Sequence, residues 1–146
     1  MIQNQEIVFE INITGNPTDI SGSALPKVKL TRNQQWTPRA QKYAEWKSFL
    51  LKHFLDQTKK HEARSMIERN TILYGKPLVT SRDVRGVMDI DILWKDERHG
   101  DAENVFGSIA DAFFKQDKYL DGSFKSNLSK DKTGSVKIRI KLLCHL

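Results

Sequence analysis

Ser135–Leu142 alternates Val136, Ile138, Ile140 and Leu142 with Lys137, Arg139 and Lys141. Successive side chains of a strand point to opposite faces, so this segment predicts a strand with one buried face and a row of cations on the other. Glu6–Ile13 shows the same alternation in its second half, and Gly86–Trp94 reads as another strand. Asp89 and Asp91 lie two apart on that strand and therefore share a face. Such a pair is either a solvent-facing row or a pair of metal ligands.

Two helices are expected beside these strands. Thr37 and Pro38 suit an N-cap and a first helical position, and Tyr43, Trp46, Leu50 and Phe54 follow at helical spacing as a buried stripe. Residues 56–70 prolong that helix or start another, until Gly75-Lys76-Pro77 stops it. The second clear helix starts after Gly100 and lines one side with Ala102, Val105, Phe106, Ile109, Ala112 and Phe113. The expected architecture is α+β: a small mixed sheet from 6–13, 86–94 and 135–142 packed against two main helices, in a single domain spanning 1–146. A chain of 146 residues buries enough surface to fold without staples.

Charge separates the chain into three parts, although the whole carries a net +6. Residues 26–60 are net +7, residues 83–121 net −5 and residues 122–146 net +5. A basic–acidic–basic layout suits a surface that tracks phosphates around a metal-binding centre, and equally a set of solvated faces. Residues 18–37 have no sustained period and are expected to form a long loop, where Lys27, Lys29, Thr31, Arg32 and Asn33 are candidate phosphate contacts. The single Cys144 excludes an intramolecular disulfide and a multi-cysteine zinc site. No apolar run approaches a membrane span, and Met1–Asn4 lacks the features of a signal peptide, so the cytoplasm is the expected compartment.

The acidic centre is concentrated at Gly100-Asp101-Ala102-Glu103-Asn104. Asp101 fits as the N-cap of the second helix, with Glu103 and Asn104 in its first turn and Asp111 seven residues beyond Asn104 on nearly the same face. A cap residue lies outside helical geometry, so Asp101 can turn toward Glu103 and share one cation with it. Hard oxygen ligands in a basic protein point to a divalent ion such as Mg²⁺ where a polyanion docks. Helix capping explains the same residues without any metal.

Thr31–Tyr43, Gly100–Phe113 with the later Asp121, and the closing Val136–Leu142 strand together resemble the RusA family of Holliday junction resolvases. That family has basic residues before a Tyr-Thr-Pro helix start and a motif Asp-x-Asp-Asn-x-x-Lys-x-x-x-Asp-Ala, followed further on by Asp-Asp. The resemblance runs in order across nearly the whole chain. It implies a Mg²⁺-dependent (or Mn²⁺-dependent) endodeoxyribonuclease that acts as a homodimer and makes paired nicks in four-way DNA junctions during recombination and repair. By position, Asp101, Glu103 and Asp121 are the implied metal ligands and catalytic acids. Asn104 and Asp111 are implied as supporting residues, and Lys27, Lys29, Arg32, Arg39 and Lys42 as DNA contacts. The chain departs from the motif at Glu103, where the family has Asp, at Gly107, where it has the catalytic Lys, and at Gly122, where a second Asp is expected. These departures leave open a dimeric junction-binding protein of the same fold that cuts weakly or not at all.

Overall fold

The computed structural model describes residues 4–15, 36–97, 100–130 and 133–145. They form β1 (Asn4–Thr14), α1 (Pro38–Gln57), α2 (Arg64–Tyr74), β2 (Val84–Trp94), α3 (Ala102–Phe113), β3 (Leu120–Leu128) and β4 (Ser135–His145), in that order. One mixed sheet has the strand order β1-β4-β2-β3. β4 lies antiparallel to both β1 and β2, while β3 runs parallel to β2. The α+β class is thus as expected, with a fourth strand and a third helix added.

The alternation of β4 appears directly in its burial. Val136, Ile138, Ile140 and Leu142 are buried together with Phe9, Ile11 and Ile13 of β1 and Met88, Ile90, Ile92 and Trp94 of β2. Trp46, Leu50 and Phe54 of α1 and Val105, Ile109 and Phe113 of α3 complete this core. Each of these large side chains contributes about 1.5–3 kcal/mol by leaving water.

α1 begins as its sequence predicts, with the Thr37 hydroxyl accepting from Ala40 N–H at 3.2 Å and Pro38 in the first turn. α2 is a weaker element. It buries only Ile67, has no side-chain cap at Ala63, and ends at Gly75, whose φ of 70° is costly for any side chain. The acidic entrance of α3 is a true N-cap, since Asp101 Oδ1 accepts from Glu103 N–H at 2.9 Å. α3 also buries Ser108 and Ala110, because it packs against α1 as well as the sheet, and Trp46 Nε1 donates to Ser108 Oγ at 3.1 Å.

β3 has no counterpart in the sequence expectations. Leu120 is half-buried and the other eight residues of the strand are exposed, so it lacks the apolar alternation that marks a core strand. Backbone pairing with β2 defines it. Among the described residues no helix is long and apolar enough to cross a membrane.

Candidate functional site

Parallel pairing of β2 and β3 requires the chain to return to its starting end between them, and α3 makes that return. Phe114, just after α3, packs against Gly86 near the start of β2. The other end of α3, with Asp101, Glu103 and Asn104, therefore lies toward the finish of β2. These three residues are exposed. A helix of 12 residues spans about 18 Å, so the entrance and exit of α3 are well separated.

Asp121 is placed differently. It stands beside Val87 at the start of β3, in the alternating set that includes Ser123 and Lys125. Ser123 Oγ donates to Asp89 Oδ1 at 2.7 Å on the sheet face away from the helices. Gly122 has the opposite orientation: a Cβ there would strike the Met88 carbonyl and the Phe106 ring of α3. The backbone consequently leaves no room for a side chain at the position where an aspartate was expected. The structure ties Asp101 to the Glu103 backbone through the cap and sets Asp121 on the other face of the sheet. Among the described residues no group of three or more His, Cys, Asp or Glu is close enough to hold a metal ion.

The exit of α3 is a polar cluster. Asp111 Oδ2 accepts from Tyr43 Oη at 2.9 Å and from Lys47 Nζ at 3.3 Å, and Lys76 Nζ donates to the Asp111 carbonyl. Burial by itself would raise the Asp111 pKa, but the Tyr43 hydrogen bond and the charges of Lys47 and Lys76 outweigh it and hold the carboxyl below its ordinary value. Burial, together with Lys47, lowers the pKa of Lys76, and Asp111 opposes that shift. The cluster ties α3 to α1 and to the segment following α2.

Next to it is a cavity of ≈ 160 Å³ lined by Gly107, Ala110, Asp111, Lys115, Gln116 and Asp117, with Phe114. Gly107 and Ala110 open this flank of α3 by their small size. Glu103 lies four residues before Gly107, so helical spacing puts it on the same flank, one turn toward the entrance. Lys115 and Asp117 come from the connection to β3. Sequence reasoning passed over Asp117, whose place at the cavity depends on how α3 is set against the sheet.

Of the expected DNA contacts, Lys27, Lys29 and Arg32 lie outside the described residues. Arg39 is exposed and Lys42 half-buried in the first turns of α1, whose Tyr43 reaches the exit of α3. On the open sheet face, register sets Arg139 between Glu10 and Asp89, and Lys137 between Asn12 and Asp91. Arg139 and Lys141 approach Glu10 and Glu6 at 4.0 Å. The cation row of β4 is therefore flanked by acids on both sides and forms a mixed surface. Asp89 and Asp91 are exposed on it, as one of the two readings of that pair anticipated. The chain matches no known protein-family model and no curated protein.

Proposed function

We propose that this chain is a RusA-like structure-selective endodeoxyribonuclease that nicks four-way DNA junctions with Mg²⁺ or Mn²⁺, acting as a homodimer. The observation that carries the proposal is the entrance of α3, where Asp101 and Glu103 are both exposed within the first turn. Mg²⁺ keeps several waters and usually takes only one or two protein carboxylates beside substrate phosphates, so Asp101 and Glu103 fit the ion without a third acid. When bound, the ion would lower the pKa of a water and neutralise charge on the reacting phosphate. Asp101 fixes the first turn by capping it, and Glu103 presents a longer carboxylate from that turn. Lys115 adds a cation beyond the far end of α3, its Nζ over the Tyr74 ring at 4.5 Å, where it can meet a neighbouring phosphate of the docked DNA. Arg39 and the basic segment before α1 would hold the junction backbone.

A second reading is a junction-binding protein of this fold without nuclease activity. It is favoured by the position of Asp121, which opens away from α3. The deciding experiment incubates purified protein with labelled four-way junction or linear duplex, in Mg²⁺, Mn²⁺ or chelator. Paired nicks confined to the junction and abolished by chelator support the endonuclease. Binding without nicks in either metal supports the second reading.

A further inference from the structure

The two edges of the sheet are finished in different ways. At the β1 edge, the side chain of Gln57 acts as a short substitute strand: its Oε1 accepts from Asn12 N–H at 2.7 Å and its Nε2 donates to Asn12 C=O at 2.6 Å. Further along, His61 Nε2 donates to Val8 C=O at 2.7 Å. Three outward backbone groups of β1, the N–H and C=O of Asn12 and the C=O of Val8, are thus met from within the molecule, which hinders strand addition there.

β3 has no such covering among the described residues. At the ends of its ladder Gly86 N–H donates to Tyr119 C=O and Ser129 N–H to Trp94 C=O. Odd-numbered residues of β3 therefore turn their backbone groups toward β2. Leu120, Gly122, Phe124, Ser126 and Leu128 turn theirs outward. Phe124 and Leu128 are also 45% and 49% exposed.

We infer that β3 is the homodimer interface, pairing antiparallel with β3 of a second copy about a two-fold axis at Phe124. The sequence Leu120-Asp121-Gly122-Ser123-Phe124-Lys125-Ser126-Asn127-Leu128 is self-complementary in that register. Leu120 falls opposite Leu128, Gly122 opposite Ser126 and Phe124 opposite itself, all on the helix side. These are the residues whose N–H and C=O point outward, so the register also forms the full antiparallel ladder. On the open face Asp121 meets Asn127 and lies diagonal to Lys125, and no two like charges stand directly opposite. A shift by two residues in either direction loses both leucine contacts; one shift sets Asp121 directly opposite Lys125, and the other sets Lys125 against itself. The inference concerns the edge alone, and a dimer without nuclease activity would satisfy it.

Ser126→Pro tests it, because this substitution removes an outward N–H and leaves the ladder to β2 intact. At tens of micromolar the wild type should sediment as a dimer. Ser126→Pro should weaken dimerisation at least about tenfold, about 1.4 kcal/mol, with unchanged far-UV circular dichroism. Phe124→Cys should form a disulfide-linked dimer on oxidation, since facing residues in a hydrogen-bonded antiparallel pair have Cα atoms about 5.5 Å apart, within disulfide range. The wild type, whose lone Cys144 is buried, is the uncrosslinked control. A monomeric wild type, a Ser126→Pro protein that dimerises equally well, or a Phe124→Cys protein that does not crosslink would overturn the inference. Should Ser126→Pro fail to fold, the crosslink decides alone.

Discussion

Asp101 and Asp111 flank and close the same helix, yet their surroundings assign them opposite tasks. Asp101 is exposed, caps the first turn and has the positive end of the helix dipole behind it. Asp111 is half-buried and held by Tyr43 and Lys47, with Lys76 on its carbonyl. A carboxylate enclosed by cations locks helices together, and its charge is already balanced. One at a solvated helix entrance keeps its charge available to a ligand. The proposed chemistry depends on that difference, and each experiment below acts on one side of it.

The largest effect is expected at the entrance. Asp101→Asn should preserve the cap, because asparagine caps about as well as aspartate, so the melting temperature should hardly move. Metal-dependent junction nicking should fall by more than about a hundredfold, since even outer-shell partners of a metal cost 10–100-fold when removed. Junction binding should persist or tighten as negative charge leaves the phosphate path. Nicking at the wild-type rate would reduce Asp101 to a cap and erase the contrast with Asp111.

Lys115 sharpens the same contrast from the cavity side. Lys115→Ala should reduce nicking by no more than about tenfold, less than the roughly 10²–10³ of a donor at the reacting centre. Lys115 lies a helix length from the Asp101–Glu103 entrance, with its Nζ over the Tyr74 ring. Junction affinity should fall in parallel. A deeper loss of nicking with affinity intact would bring Lys115 to the reacting centre instead.

Much of this layout is local and therefore legible in the sequence. Thr37-Pro38 with the Tyr43, Trp46, Leu50 and Phe54 stripe marks α1, and Asp101 marks the start of α3, because caps and helical periodicity involve near neighbours only. β4 is equally plain, since its two faces meet different surroundings. β3 is hidden because all its residues but Leu120 are exposed, and α2 because it buries a single side chain. The site divides in the same way. The Asp101–Glu103 entrance is written in consecutive residues, whereas the cavity position of Asp117 and the outward turn of Asp121 depend on how α3 and β3 are set against the sheet.

At the exit of α3 the expected loss is in stability. Asp111→Ala leaves the half-buried Lys47 and Lys76 without their carboxylate, which should cost about 1–2 kcal/mol once solvent screening is discounted. Denaturant unfolding of the wild type and variant measures it. Because the folded Asp111 pKa lies below the ordinary 3.8, this contribution is fully present above that value and is lost as the pH falls through the lower folded one. Acid should therefore narrow the gap between wild type and Asp111→Asn. A gap that stays constant below pH 3.8 would mean that Asp111 acts through shape and not through charge.

The smallest effect on nicking belongs to Asp121. Its side chain opens on the sheet face turned from α3, so Asp121→Asn should leave junction nicking within about twofold of wild type, as for a surface change of under ±0.5 kcal/mol. In the β3-paired dimer the same residue lies diagonal to Lys125 of the second copy. Removing that exposed charge pair, which the two-fold axis repeats, should raise the dimer dissociation constant by no more than about thirtyfold, equivalent to twice the roughly 0.2–1 kcal/mol of a surface ion pair. High salt should abolish this difference between wild type and variant. A drop in nicking as deep as that of Asp101→Asn, with the dimer intact, would bring Asp121 back to the metal. It would also require β3 to turn its odd-numbered side chains toward α3 when a junction binds.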